Sequence, residues 1–180
     1  MSQKYVSGYR AQTRARAARY ILSISGAILL LAVLQTTLFA RARIFGAIPD
    51  LMLCAVICIA YFLGRYAGAV TGIGAGVLIE ALGSVGVSIL PVVYLLCGYL
   101  AGHYARAVTP KRYGAYLVYL AVALPVRAAT TLTYACLSYH SIDLPKILLQ
   151  TVLPELVATA ICGCVLYVPL MLLCRAIDKP

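Results

Sequence analysis

Four ionisable side chains stand within or at the edges of otherwise apolar stretches: Asp50, Glu80, Arg127 and Glu155. Charge in such a setting is costly, and it is kept for a use: an ion pair, a ligand or a partner. Arg127 precedes Tyr139 by 12 residues, and Glu155 follows Ile147 by 8. At about 1.5 Å per helical residue both lie roughly 12 to 18 Å from the same end of two consecutive antiparallel helices, so an Arg127–Glu155 ion pair is within reach. Such a pair either fixes the rotation of the two helices or lines a buried polar site for a ligand or partner. Pro125 and Pro154 stand beside these charges. Each removes a helix hydrogen bond and can kink its segment.

Asp50, after Pro49, opens one apolar stretch and Glu80 closes the next, which places both carboxylates at one end of the molecule together with Arg41 and Arg43. Two uses stay open there. Asp50 stands where an acid caps a helix N-terminus, and the whole cluster could instead dock a partner.

Gly64, Gly68, Gly72 and Gly76 recur every fourth residue, and Gly98 and Gly102 repeat the spacing later in the chain. A helix face stripped of side chains admits another helix at close range, from this chain or from a partner. The run Gly72-Ile73-Gly74-Ala75-Gly76 has the look of a phosphate-binding loop, but such a loop needs a preceding strand and a solvated helix N-terminus, and neither is expected here.

Nothing points to catalysis. The chain has no HExxH, no GxSxG and no span with carboxylates paired at i+3 or i+4, while His103 and His140 are expected in loops on opposite sides. The seven cysteines all lie in apolar runs, where a thiol behaves as a small hydrophobe, so no disulfide is expected. Cys54 and Cys58 share a helix face but lack two further ligands, so no metal site is expected either. A non-enzyme without a cofactor follows.

The elements that hold these residues are set by composition. With 63% hydrophobic and 11% charged residues and a mean hydropathy of +0.95, the 180-residue chain is too apolar for a soluble globule. Six apolar blocks run from Tyr20 to Ala40, Asp50 to Leu63, Tyr66 to Leu82, Val85 to Ala101, Ala115 to Tyr139 and Ile147 to Leu173. The expected fold is an all-α integral membrane protein of six transmembrane helices over 20–175, with a basic arm at 1–19 and a short tail at 176–180. Tyr20 to Ala40 reads as an uncleaved first span, because no small-x-small cleavage site ends it. The second and third spans are short and almost directly joined, as a tight helical hairpin or a partly re-entrant pair.

Six spans put both termini on one side. Eleven of the 15 basic residues then fall on that side, against Arg41, Arg43 and Lys146 on the other, which makes it the cytoplasmic side. The net charge of +10 is therefore a topology signal and not a footprint for nucleic acid. The arm can also meet anionic lipid of the bilayer. With no Trp and 14 Tyr, interfacial anchoring falls to tyrosines such as Tyr20, Tyr66, Tyr99, Tyr104, Tyr113 and Tyr116.

Leu34-Gln35-Thr36-Thr37-Leu38, Arg43-Ile44-Phe45-Gly46-Ala47-Ile48-Pro49-Asp50-Leu51, the glycine series running into Gly76-Val77-Leu78-Ile79-Glu80, and Gly98-Tyr99-Leu100-Ala101-Gly102 together resemble the rod-shape-determining protein MreD family. The resemblance covers about residues 30 to 105. At position 80 that family usually has Asp, where this chain has Glu80. The resemblance implies a non-catalytic subunit of the bacterial inner membrane that serves cell elongation. Its partners would be the single-span MreC, the actin-like MreB, a RodA-type glycosyltransferase and a class B penicillin-binding transpeptidase. The glycine-lined third span and the ends around Pro49, Asp50, Gly72, Gly76 and Glu80 would form the groove for MreC, with Arg127, Glu155, Gly98 and Gly102 structural. The family is also similar in architecture to the substrate-binding subunits of energy-coupling-factor transporters, so binding a vitamin is the alternative.

Overall fold

The computed structural model describes residues 21–39, 48–83, 89–108, 112–138 and 148–178, and every element in them is helical. Six helices result: α1 over 21–34, α2 Leu51–Leu63, α3 Arg65–Gly83, α4 Leu90–Val108, α5 Tyr113–Ser138 and α6 Leu153–Asp178. A π-helical turn, Gln35–Phe39, extends α1, and another, Leu148–Val152, leads into α6. Tyr113–Thr133 of α5 and Leu153–Ala176 of α6 are long and apolar enough to cross a membrane, while the apolar parts of α1, α2 and α4 are shorter. The first apolar block is thus helical as α1 with its π turn, and the arm at 1–19 lies outside the described residues.

The centre of the fold is α2. Its sequence, LMLCAVICIAYFL, is apolar all round, and a helix without a polar face is stable only when enclosed on every side. Accordingly Leu51 through Tyr61 are all buried, and α3, α4, α5 and α6 pack around them. Gly64 alone separates α2 from α3. Its φ of 93° lies in the region open to glycine, and its N–H closes α2 on the Ala60 carbonyl at 2.8 Å. The abrupt join expected from the sequence is therefore a one-residue connection.

α3 and α4 run side by side along a glycine seam. A Cβ on Gly68, Gly72, Gly76, Gly98 or Gly102 would lie within 3.0 Å of backbone on the facing helix. Gly68 faces Gly98, Gly72 faces the Tyr94 carbonyl, Gly76 faces Pro91, and Gly102 faces Gly64 and Arg65. The series on α3 rises as that on α4 falls, as an antiparallel pair requires. Glu80 fastens the far end of the pair, where its Oε1 accepts the Leu90 N–H at 3.0 Å.

Helix ends depart from the apolar blocks. α4 begins at Leu90, later than Val85, and continues through His103 to Val108, so His103 is helical; α6 likewise runs on to Asp178. Hydropathy marks where a chain would leave hydrocarbon, whereas backbone hydrogen bonding continues past that point.

Candidate functional site: a charged network on the central helix

The N-terminus of α2 is buried, which obliges each of its unpaired N–H groups to find an acceptor inside the protein. All do, from several parts of the chain. The Asp50 N–H donates to Thr159 Oγ1 of α6 at 2.9 Å, and the Leu51 N–H to the Pro49 carbonyl at 3.2 Å. The Met52 N–H donates to Gln35 Oε1 in the π turn after α1 at 3.2 Å, and the Leu53 N–H to Asp50 Oδ1 at 3.1 Å. Thr159 in turn donates to the Glu155 carbonyl one helical turn back at 2.7 Å. Asp50 is thus the N-cap of α2, the first of the two uses that the sequence left open.

The second carboxylate oxygen of Asp50 gathers the remaining charge. Oδ2 accepts the Tyr94 hydroxyl of α4, and it accepts Arg127 Nε of α5 at 2.8 Å. Arg127 Nη2 lies 3.3 Å from Glu155 Oε1 of α6, so the pair foreseen from residue spacing is present, with Asp50 as a further member. Arg127 Nη1 donates to Thr130 and Thr131 Oγ1 at 3.3 and 3.1 Å. Asp50 is 1% exposed and Tyr94 is fully buried, while Arg127 and Glu155 keep a small exposed fraction.

Two carboxylates face one guanidinium. The surplus negative charge at Asp50 sits on the N-terminus of α2, where aligned peptide dipoles supply roughly half a positive charge. Among the described residues no buried side-chain polar atom lacks a hydrogen-bond partner. The arrangement therefore favours fixed geometry: one side chain from α4, one from α5, two from α6 and one from the π turn converge on a single helix end.

Several site expectations change. Asp50 and Glu80 do not form one outward-facing cluster, since Asp50 joins Arg127 and Glu155 while Glu80 caps α4. Pro49, Asp50, Gly72 and Gly76 are all buried, and the glycine face is covered by α4 of the same chain. A partner helix cannot lie on Gly72 and Gly76 as expected, because backbone of α4 already occupies that space. Gly98 and Gly102 do serve close packing within the chain. Tyr116 is buried and donates to the Gly163 carbonyl at 3.2 Å, so it is no interfacial anchor, whereas Tyr66, Tyr99, Tyr104 and Tyr113 are exposed. Arg41, Arg43 and His140 lie outside the described residues.

The sequence reading missed Tyr94 and Thr159 and gave Gln35 no role. Thr159 carried a usable signal, since it follows Glu155 by one turn on the same helix face. Tyr94 carried none beyond a hydroxyl in an apolar run.

A second charged group lies elsewhere, at the start of α3. Arg65 packs over the Tyr66 ring at 4.9 Å and donates to the Tyr66 hydroxyl at 3.2 Å, and its Nη1 lies 3.5 Å from His103 Nδ1. Tyr99 stacks on His103 with ring centroids 6.1 Å apart. Ion pairs among the described residues belong to Arg127, and Arg65 has no carboxylate partner there.

No protein-family model matches the chain, and no curated protein or solved structure shows significant similarity to it. The geometry above and the sequence motifs are therefore the basis for function.

Proposed function

We propose that the chain is a non-catalytic, multi-pass subunit of the bacterial cytoplasmic membrane, with both termini inside, that serves the cell-elongation machinery. In this reading it binds an MreC-type single-span partner. Through that partner it acts with MreB, a RodA-type glycosyltransferase and a class B penicillin-binding transpeptidase to regulate peptidoglycan synthesis and cell shape. The supporting observation is convergence: several of the residues that carry the MreD resemblance build one internal unit. Gln35 and Asp50 cap α2, Gly68, Gly72, Gly76, Gly98 and Gly102 form the α3–α4 seam, and Glu80 caps α4. A resemblance that includes internal framework residues fits a protein whose task is to hold a shape for others. The partner then docks on the outer surface and not on the glycine seam.

The test is affinity purification from native membranes in mild detergent, with stoichiometric partners identified by mass spectrometry. A single-span protein with an external coiled coil, together with wall-synthesis enzymes, is the expected recovery. Recovery of paired ATPases and a membrane coupling protein would overturn it in favour of a transporter's substrate-binding subunit.

A further inference from the structure

An open cavity of about 920 Å³ lies between α1 and α3, lined from Ile21 to Leu29 on one side and from Leu63 to Leu78 on the other. Its size is at the upper end of the roughly 300–1,000 Å³ typical of ligand sites. The walls are apolar in effect as well as in composition. Two of the three hydroxyls among the lining residues are spent on their own helices, Ser25 on the Ile21 carbonyl at 2.7 Å and Thr71 on the Ala67 carbonyl at 2.7 Å, and the third, on Tyr66, accepts from Arg65 at 3.2 Å. Gly26 and Gly74 face it from either side, and a Cβ on either would meet nothing within 4 Å. These glycines leave room that no part of the described chain fills, unlike those of the seam.

One end of the groove is basic and aromatic. Tyr66 lines it, 70% exposed, and Tyr66 carries Arg65 across its ring, with His103 beside the guanidinium. The sequence before Ile21 is basic as well, with five Lys and Arg and no acid in residues 1–19. The length is equally telling. Ile21 to Leu29 and Tyr66 to Leu78 span about 12 and 18 Å at 1.5 Å per residue, roughly half of a ~30 Å hydrocarbon core. A spanning partner helix would need the full thickness, whereas the tails of one leaflet need half.

We infer that this groove binds an anionic phospholipid of the cytoplasmic leaflet, its acyl chain between α1 and α3 and its phosphate at Arg65 and His103. The inference rests on the membrane-embedded reading above. The groove matches a leaflet in length, its apolar walls suit hydrocarbon, and Arg65 has no carboxylate partner among the described residues and can meet a phosphate.

The absence of native Trp makes a direct test available. Leu29→Trp places one fluorophore in the groove, and Val165→Trp places a control on α6, 70% exposed and away from the groove. Each variant is reconstituted in mixed phosphatidylglycerol and phosphatidylethanolamine vesicles, with dibrominated acyl chains on one lipid or the other as quencher. One Arg at the surface favours an anionic lipid by about fivefold. The expected result is a phosphatidylglycerol preference of that order at Leu29→Trp, none at Val165→Trp, and loss of the preference when Arg65→Gln or Gly74→Leu is added. Equal quenching by both lipids at Leu29→Trp, or a preference that survives both added changes, overturns the inference while Val165→Trp quenching keeps the membrane reading intact. If neither Trp is quenched, the membrane reading itself fails, and the lipid site with it.

Discussion

Arg127 and Arg65 are the same side chain put to opposite uses. Arg127 enters the interior and finds two carboxylates and two threonine hydroxyls, so its donors are committed to α2, α5 and α6. Arg65 lies at a helix start among aromatic rings, with no carboxylate among the described residues. The first fixes how three helices meet, and the second keeps its charge available. What separates them is burial with partners, a property of the assembled chain that residue type does not reveal.

That contrast can be broken in a graded series. Arg127→Met leaves Asp50 and Glu155 facing each other without their cation, and truncating one side of a buried pair costs about 3–5 kcal/mol. Unfolding titrations in mixed micelles should show the largest loss of the series, and a loss under 1 kcal/mol would remove the network as the organiser of the core. Gly72→Leu comes next, since the new side chain strikes the Tyr94 carbonyl; overpacking of this kind costs about 1–3 kcal/mol or more. Gly74→Leu, two residues away in open space, should change the midpoint little, and equal effects at both sites would contradict the seam. Tyr94→Phe removes one donor to Asp50 while Leu53 and Arg127 remain, so about 1–2 kcal/mol is expected in the same titration. Arg65→Gln should stay within about 0.5 kcal/mol, because a partly buried side chain without an ion pair among the described residues holds little together. A destabilisation as large as that of Arg127→Met would erase the distinction between the two arginines.

Much of this was readable from the chain. Six apolar blocks foretold the helices, and depth along two consecutive helices foretold Arg127 beside Glu155. Two glycine series at the same spacing foretold close packing, but the face around Gly72 and Gly76 was read as a partner's groove where α4 of this chain lies. Asp50 was offered as a helix cap, which it is, but its position at the edge of a stretch wrongly suggested the surface. α2 is short enough that its end lies inside the protein, and only tertiary packing shows that. The network also draws single residues from distant segments, Gln35, Tyr94 and Thr159, and a lone polar residue leaves no periodicity to detect.

The brevity of α2 has a further consequence. Its 13 residues rise about 20 Å, against about 39 Å for the 26 residues of α6. In a bilayer with a ~30 Å core, lipid would touch the longer outer helices and leave Leu51 through Tyr61 of this inner peg untouched. Thicker or thinner membranes would then be accommodated by tilt in the periphery, while the centre keeps its own length. On the membrane reading proposed above, such a protein would keep the same interior geometry in membrane regions of different composition.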